Sequence, residues 1–149
     1  MKICFDMDGT IADLYGVDNW LTMLRAKDET PYKKAATLVN MSLLARLLNR
    51  LQKQGHKLII ISWLSKEPDE DYDRRVTLAK RGWLKKHLPS VIWDEIQIVP
   101  YGTDKNMVRE TENDVLFDDE PQNRNTWGGR AYDVDRIIDI LKIIRASPC

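Results

Sequence analysis

Three short apolar runs each end on a polar side chain. Ile3-Cys4-Phe5 runs into Asp6, Leu58-Ile59-Ile60-Ile61 into Ser62, and Val115-Leu116-Phe117 into Asp118. Each is of strand length and apolar throughout rather than alternating, the pattern of a strand buried on both faces of a parallel sheet. Ile96-Gln97-Ile98-Val99, stopped by Pro100, reads as a further strand, and Arg130 to Val134, after Gly128-Gly129, as a short fifth. Helical patterns lie between them. Leu44, Leu47, Leu48 and Leu51 repeat at i, i+3, i+4 and i+7, with Ser42 predicted as the N-cap and Gly55 closing the helix. Asp104 to Glu110 reads as a short helix, and Asp135 as the cap of a last one that buries Ile137, Ile138, Leu141 and Ile144. Strands alternating with helices predict an α/β fold, a Rossmann-like three-layer arrangement around a parallel sheet. Ligands of such sheets bind beyond the carboxyl ends of the strands, where Asp6, Ser62 and Asp118 would converge.

After Pro68, an acidic start at Asp69-Glu70-Asp71 and a basic finish at Lys80, Arg81, Lys85 and Lys86 suit the dipole of one long helix. Its buried stripe is read as Tyr72, Val76, Ala79 and Trp83, and Gly82 as a bend or a break between two helices. The basic cluster adjoins acidic residues and reads as a solvated face rather than a nucleic-acid patch. Residues 11–41, with Trp20, Leu21, Leu24, Pro31 and Tyr32, are less regular.

The 149 residues are one domain's worth and enough to bury a core without disulfides. Net charge is zero, so no global field favours nucleic acid or an anionic membrane. Cys4 in an apolar strand and Cys149 at the last position fit a reducing compartment. The opening Met1 to Asp6 is too quickly acidic for a signal peptide, and the apolar runs are too short to span a bilayer. These features predict a cytoplasmic location.

The chemistry-bearing residues fall in four places. Asp6 and Asp8 stand two apart in Asp6-Met7-Asp8-Gly9-Thr10, where Gly9 allows a sharp turn. Ser62 offers a hydroxyl at a strand end, and Lys105 an ammonium at the start of a short helix. Asp118-Asp119 set two carboxylates at a buried strand end, which is costly unless a cation neutralises them. A hard divalent ion such as Mg²⁺ does so.

Taken in order, D-M-D-G-T, I-I-I-S, the lysine of G-T-D-K-N and V-L-F-D-D resemble the four motifs of the haloacid dehalogenase superfamily in its phosphatase branch. The resemblance spans Ile3 to Asp119. It implies that Asp6 attacks phosphorus to form an aspartyl phosphate and that Asp8 is the general acid and base. Ser62 and Lys105 would hold phosphoryl oxygens, and Thr10 would orient Asp8. Mg²⁺ would be bound by Asp6, the Asp8 carbonyl and Asp118, with Asp119 assisting through water.

In that superfamily an insertion after the first motif or the second sets substrate choice. Here residues 11–41 form the first insertion, a small cap or flap within one domain of residues 1–149, and the stretch from Ser62 to Lys105 leaves no room for a second. A small cap implies an open mouth or help from a partner subunit. D-M-D-G-T-I-A-D and the one-sided insertion are similar to deoxyribonucleotidases and to the phosphatase halves of nucleic-acid end-repair enzymes. A small phosphorylated substrate, a nucleoside monophosphate ahead of a polynucleotide end, is therefore expected. Trp63 reads as core packing, with stacking on a base or sugar as the alternative. Sugar-phosphate hydrolysis, a catalytically idle scaffold and a signalling receiver domain are the competing readings. The last has its acid pair, phosphorylated Asp and Lys in another order.

Overall fold

The computed structural model describes residues 1–147; Cys149 lies outside them. Five parallel strands form one sheet. They are β1 (Lys2–Phe5), β4 (Lys57–Trp63), β5 (Glu95–Val99), β6 (Val115–Phe117) and β7 (Arg130–Tyr132). They lie side by side in the order β5-β4-β1-β6-β7, which in chain order of the sheet strands is 3-2-1-4-5, with β1 in the middle. Cys4 lies opposite Ile59 of β4 on one side and Leu116 of β6 on the other. The chain reverses its direction of travel across the sheet at β1, and such a switch point opens a crevice at the carboxyl ends.

Successive strand residues point to opposite faces, and both faces are packed. Ile3, Phe5, Leu58, Ile60, Val115 and Phe117 share one core cluster. Cys4, Ile59, Ile61 and Leu116 belong to the other, closed by Val108 and Trp127. The first face is covered by α3 (Met41–Lys53), α6 (Ile137–Ala146) and part of α4 (Glu70–His87). The second is covered more thinly, by a 3-10 turn at Lys105–Val108 and by α5 (Pro121–Thr126). Leu44, Leu47, Leu48 and Leu51 of α3 are all buried, as their spacing predicts. Burial of each contributes roughly 1.5–3 kcal/mol.

Several boundaries differ from expectation. Asn40, not Ser42, caps α3, accepting the Leu43 amide at 3.0 Å. Gly82 does not break α4, which runs unbroken from Glu70 to His87. A helical glycine costs about 1 kcal/mol, and burial of Trp83 and Leu84 beside it outweighs that. The last helix begins at Ile137 after a 3-10 turn capped by Asp133, not Asp135.

Between β1 and α3 the chain forms a small two-stranded antiparallel pair, β2 (Ala12–Asp13) with β3 (Ala36–Thr37). Two short helices, α1 (Trp20–Arg25) and α2 (Thr30–Lys34), lie between those strands. Leu14 and Tyr32 of this segment pack on Tyr72, Val76 and Ala79 of α4. The insertion is thereby seated beside the crevice. Among the described residues no helix is long and apolar enough to cross a membrane.

Candidate active site

Asp6 is the last residue tied into the sheet: its amide donates to Phe117 O at 2.9 Å. The chain then turns tightly, with the amides of Thr10, Ile11 and Ala12 all directed at Met7 O. Gly9 takes φ +79° in this turn, a region that L side chains avoid. A Cβ on Gly9 would also collide with the Asp119 carboxylate. The turn thus brings the first acid pair against the second.

Asp6, Asp118 and Asp119 each offer a carboxylate oxygen, all within 4.8 Å of one another. Lys105 Nζ lies 2.8 Å from Asp6 Oδ1 and 2.7 Å from Asp118 Oδ2. Burial opposes the Lys105 charge, but the two carboxylates outweigh it and hold the ammonium above its ordinary range. One ammonium does not balance three carboxylates. Burial and then the Asp6 charge push Asp118 up to about 6 and Asp119 up to about 7. A divalent cation would relieve that repulsion, and an all-oxygen donor set suits a hard ion. Asn123 Nδ2 donates to Asp118 Oδ2 at 3.1 Å and Arg124 to the Asp118 carbonyl at 2.9 Å, which fixes the buried carboxylate.

Thr10 is fully buried, and its hydroxyl faces Asp6 Oδ2 at 3.0 Å and Asp119 Oδ1 at 3.2 Å while accepting the Asp119 amide. It therefore orients Asp6 and Asp119, and not Asp8 as expected. Asp8 is held by Lys80 instead, with Nζ 2.9 Å from Oδ2. Burial is the largest influence on the Asp8 carboxyl and raises it; the Lys80 ammonium pulls the other way, and the outcome lies above the ordinary carboxylate range. The expectation that Lys80 belongs to a solvated face is overturned, since it is 1% exposed. The periodicity carried the signal: Lys80 continues the buried stripe of Tyr72, Val76, Ala79 and Trp83.

Ser62, fully buried at the end of β4, accepts from Lys80 Nζ at 2.7 Å. Trp63 follows, half-buried and packed against the second core cluster. Its indole donates to Thr103 O at 2.8 Å, its ring lies 4.9 Å from that of Tyr101, and Lys105 Nζ sits 5.1 Å from its centroid. Asp6, Asp8, Trp63, Tyr101, Lys105, Asp118, Asp119 and Asn123 border one cavity of about 860 Å³, whereas Thr10, Ser62 and Lys80 are buried behind its lining. Its floor is Asp6, Asp8, Lys105, Asp118 and Asp119, with Trp63 and Tyr101 on one wall. Tyr15, Trp20 and Leu24 of the insertion also line it, Tyr15 and Trp20 as an edge-to-face pair at 4.9 Å. The carboxylate floor would accept an anionic group only with a divalent cation between them, and the aromatic walls suit an apolar, ring-bearing body.

Residues 35–141 match the family described as "5' nucleotidase, deoxy (Pyrimidine), cytosolic type C protein". Two solved structures share the fold. One, a Pnkp1/Rnl/Hen1 complex, has a chain 18% identical with a TM-score of 0.54; the match covers 89% of this chain but 45% of that one. The other is D,D-heptose 1,7-bisphosphate phosphatase from Burkholderia thailandensis, 12% identical with a TM-score of 0.54, covering 98% of this chain and 99% of that one. No curated protein matches the sequence. At these identities the two structures speak to fold alone.

Proposed function

The chain belongs to the cytosolic type C deoxy (pyrimidine) 5' nucleotidase family of haloacid dehalogenase-type phosphatases, and on that premise we propose that it hydrolyses a small phosphomonoester through an aspartyl phosphate on Asp6. The observation that carries this reading is the unequal treatment of two neighbouring carboxylates. Asp6 is held by Lys105 and Thr10 at the meeting point of three carboxylates. Asp8, two residues on, sits where burial favours its protonated form. A carboxyl group biased toward its protonated form is suited to act as an acid, which supports Asp8 in that role and leaves Asp6 as the nucleophile.

On this reading Asp6 attacks phosphorus while Asp8 gives its proton to the departing ester oxygen. Asp8 then takes a proton from the water that cleaves the acyl phosphate. Ser62 and Lys105 border the position of the phosphoryl oxygens. Mg²⁺, held by Asp6, Asp118 and the Asp8 carbonyl with Asp119 beside them, would supply positive charge against the anionic phosphoryl group. Residues 1–149 act as one domain, with 11–41 as a small cap. The substrate is a nucleoside monophosphate whose base lies among Trp63, Tyr101 and the Tyr15–Trp20 pair. The reaction belongs in the cytoplasm, in keeping with the unpaired Cys4.

A panel of phosphomonoesters, assayed with Mg²⁺ and with chelator, tests the proposal. Nucleoside monophosphates are expected to be cleaved only with the metal, and brief reaction followed by acid quench should add one phosphoryl mass to a peptide containing Asp6. Metal-independent turnover, or a label elsewhere, rejects the mechanism.

A further inference from the structure

We propose that Lys80 is the positioning residue of this site, setting the role of Asp8 without touching substrate. The inference rests on the phosphatase reading above. Its three ammonium hydrogens all have acceptors: Asp8 Oδ2 at 2.9 Å, Ser62 Oγ at 2.7 Å and Trp63 O at 2.6 Å. An ammonium has three donors and no acceptor, so none remains for a phosphoryl oxygen. At 1% exposure, with the Tyr32 ring of the cap segment 5.0 Å from its Nζ, it is also walled off from solvent.

Each contact has a chemical consequence. Ser62 must accept from Lys80, since the ammonium has no lone pair, and this takes up a second of the ammonium hydrogens. Asp8 has Oδ2 engaged by Lys80, which leaves Oδ1 to carry the proton. As the ester P–O bond breaks, its electron pair goes to the leaving oxygen, the Oδ1 proton follows, and Asp8 becomes a carboxylate. The ammonium at Oδ2 stabilises the charge created in that step, an interaction that strengthens toward the transition state. The contact with Trp63 O holds the strand end at which both groups meet.

The test is the dependence of kcat/KM on the leaving group. That parameter reports formation of the phosphoenzyme, the step in which Asp8 is the acid. In Lys80→Met, a nucleoside 5'-monophosphate, whose alkoxide leaves poorly, should lose about 10²-fold or more in kcat/KM. p-Nitrophenyl phosphate, whose phenolate needs no proton, should lose less than about fivefold. An equal loss on both esters would overturn the proposal and leave Lys80 a purely structural charge partner. Because Lys80→Met strands a buried carboxylate, the pair Asp8→Asn and Asp8→Asn/Lys80→Met provides a second comparison that removes both charges. Equal p-nitrophenyl phosphate rates in those two proteins support action through Asp8, whereas a further tenfold loss in the double variant overturns it. If the unaltered protein cleaves neither ester with Mg²⁺ present, the phosphatase mechanism itself fails, an outcome distinct from unchanged leaving-group dependence.

Discussion

Asp6 and Lys105, 99 residues apart in the chain, meet at 2.8 Å, and the contact takes up Asp6 Oδ1. Thr10 faces the other oxygen, Oδ2, at 3.0 Å. Both oxygens of the proposed nucleophile are thereby held before any substrate arrives, and little rotational freedom remains to be lost on the way to attack.

Asp6→Asn should leave the fold intact and lower phosphatase activity by at least about 10³-fold. The amide keeps the shape but is a poor nucleophile. Steady-state assay together with intact-mass measurement, to exclude deamidation, checks this; activity near that of the unaltered protein would remove Asp6 from its assigned role.

Asp119 carries a prediction with opposite signs in the presence and absence of metal. Its folded-state value of about 7 exceeds the ordinary carboxylate value, so the metal-free folded protein binds more protons than the unfolded chain between about pH 4 and 7. The charged Asp119 therefore destabilises the metal-free protein above pH 7, and this cost fades as pH falls toward 4. Asp119→Asn should raise the metal-free Tm at pH 8, by about 2–8 °C per kcal/mol of relief, and should raise it less at pH 5. Saturating Mg²⁺ should reverse the order, because the ion stabilises the protein that binds it better. Paired thermal melts, with chelator and with Mg²⁺, test both halves.

Gly9→Ala should destabilise the protein by about 1–3 kcal/mol and lower activity more than that loss alone explains. The new Cβ would occupy a positive-φ position and push on Asp119 and on the Tyr15 ring. Denaturant unfolding alongside assay below the melting range separates the two effects.

Tyr101→Ala should raise KM for nucleoside monophosphates by roughly 10-fold while leaving ribose 5-phosphate little changed, since a base–aromatic contact is worth about 1–3 kcal/mol. Tyr101 is chosen over Trp63 because the latter also lies against Lys105. A uniform effect on both substrates would remove the base from this wall.

The sheet was legible in the sequence because burial on both faces leaves little choice of residue: Leu58 to Ile61 and Val115 to Phe117 admit no polar side chain. The convergence of Asp6, Ser62 and Asp118 followed from strand ends and sheet topology. What escaped was set by tertiary contacts. Lys80 sits among Arg81, Lys85 and Lys86, and composition averaged over that turn hides one buried ammonium whose partner, Asp8, comes from another strand end. Thr10 and Asp8 stand two apart, yet the turn at Gly9 rotates the hydroxyl toward Asp119, a direction that local spacing does not encode. Asn40 is as competent a cap by residue type as Ser42, and its extended backbone at ψ 107° places the helix start at Met41, so Ser42 lies inside the first turn.

The central position of β1 also bears on how the protein is made. During synthesis β1 emerges before β4, and β4 before β6, so β1 gains its β4 neighbour well before its β6 neighbour. Until then one edge of an apolar strand offers unpaired backbone groups to any passing chain, a hazard for aggregation. The strand that closes this edge is the one that delivers Asp118. Nascent chains therefore lack the Asp118 carboxylate for as long as they are vulnerable, and recovery of activity on refolding should report the final closure of the sheet.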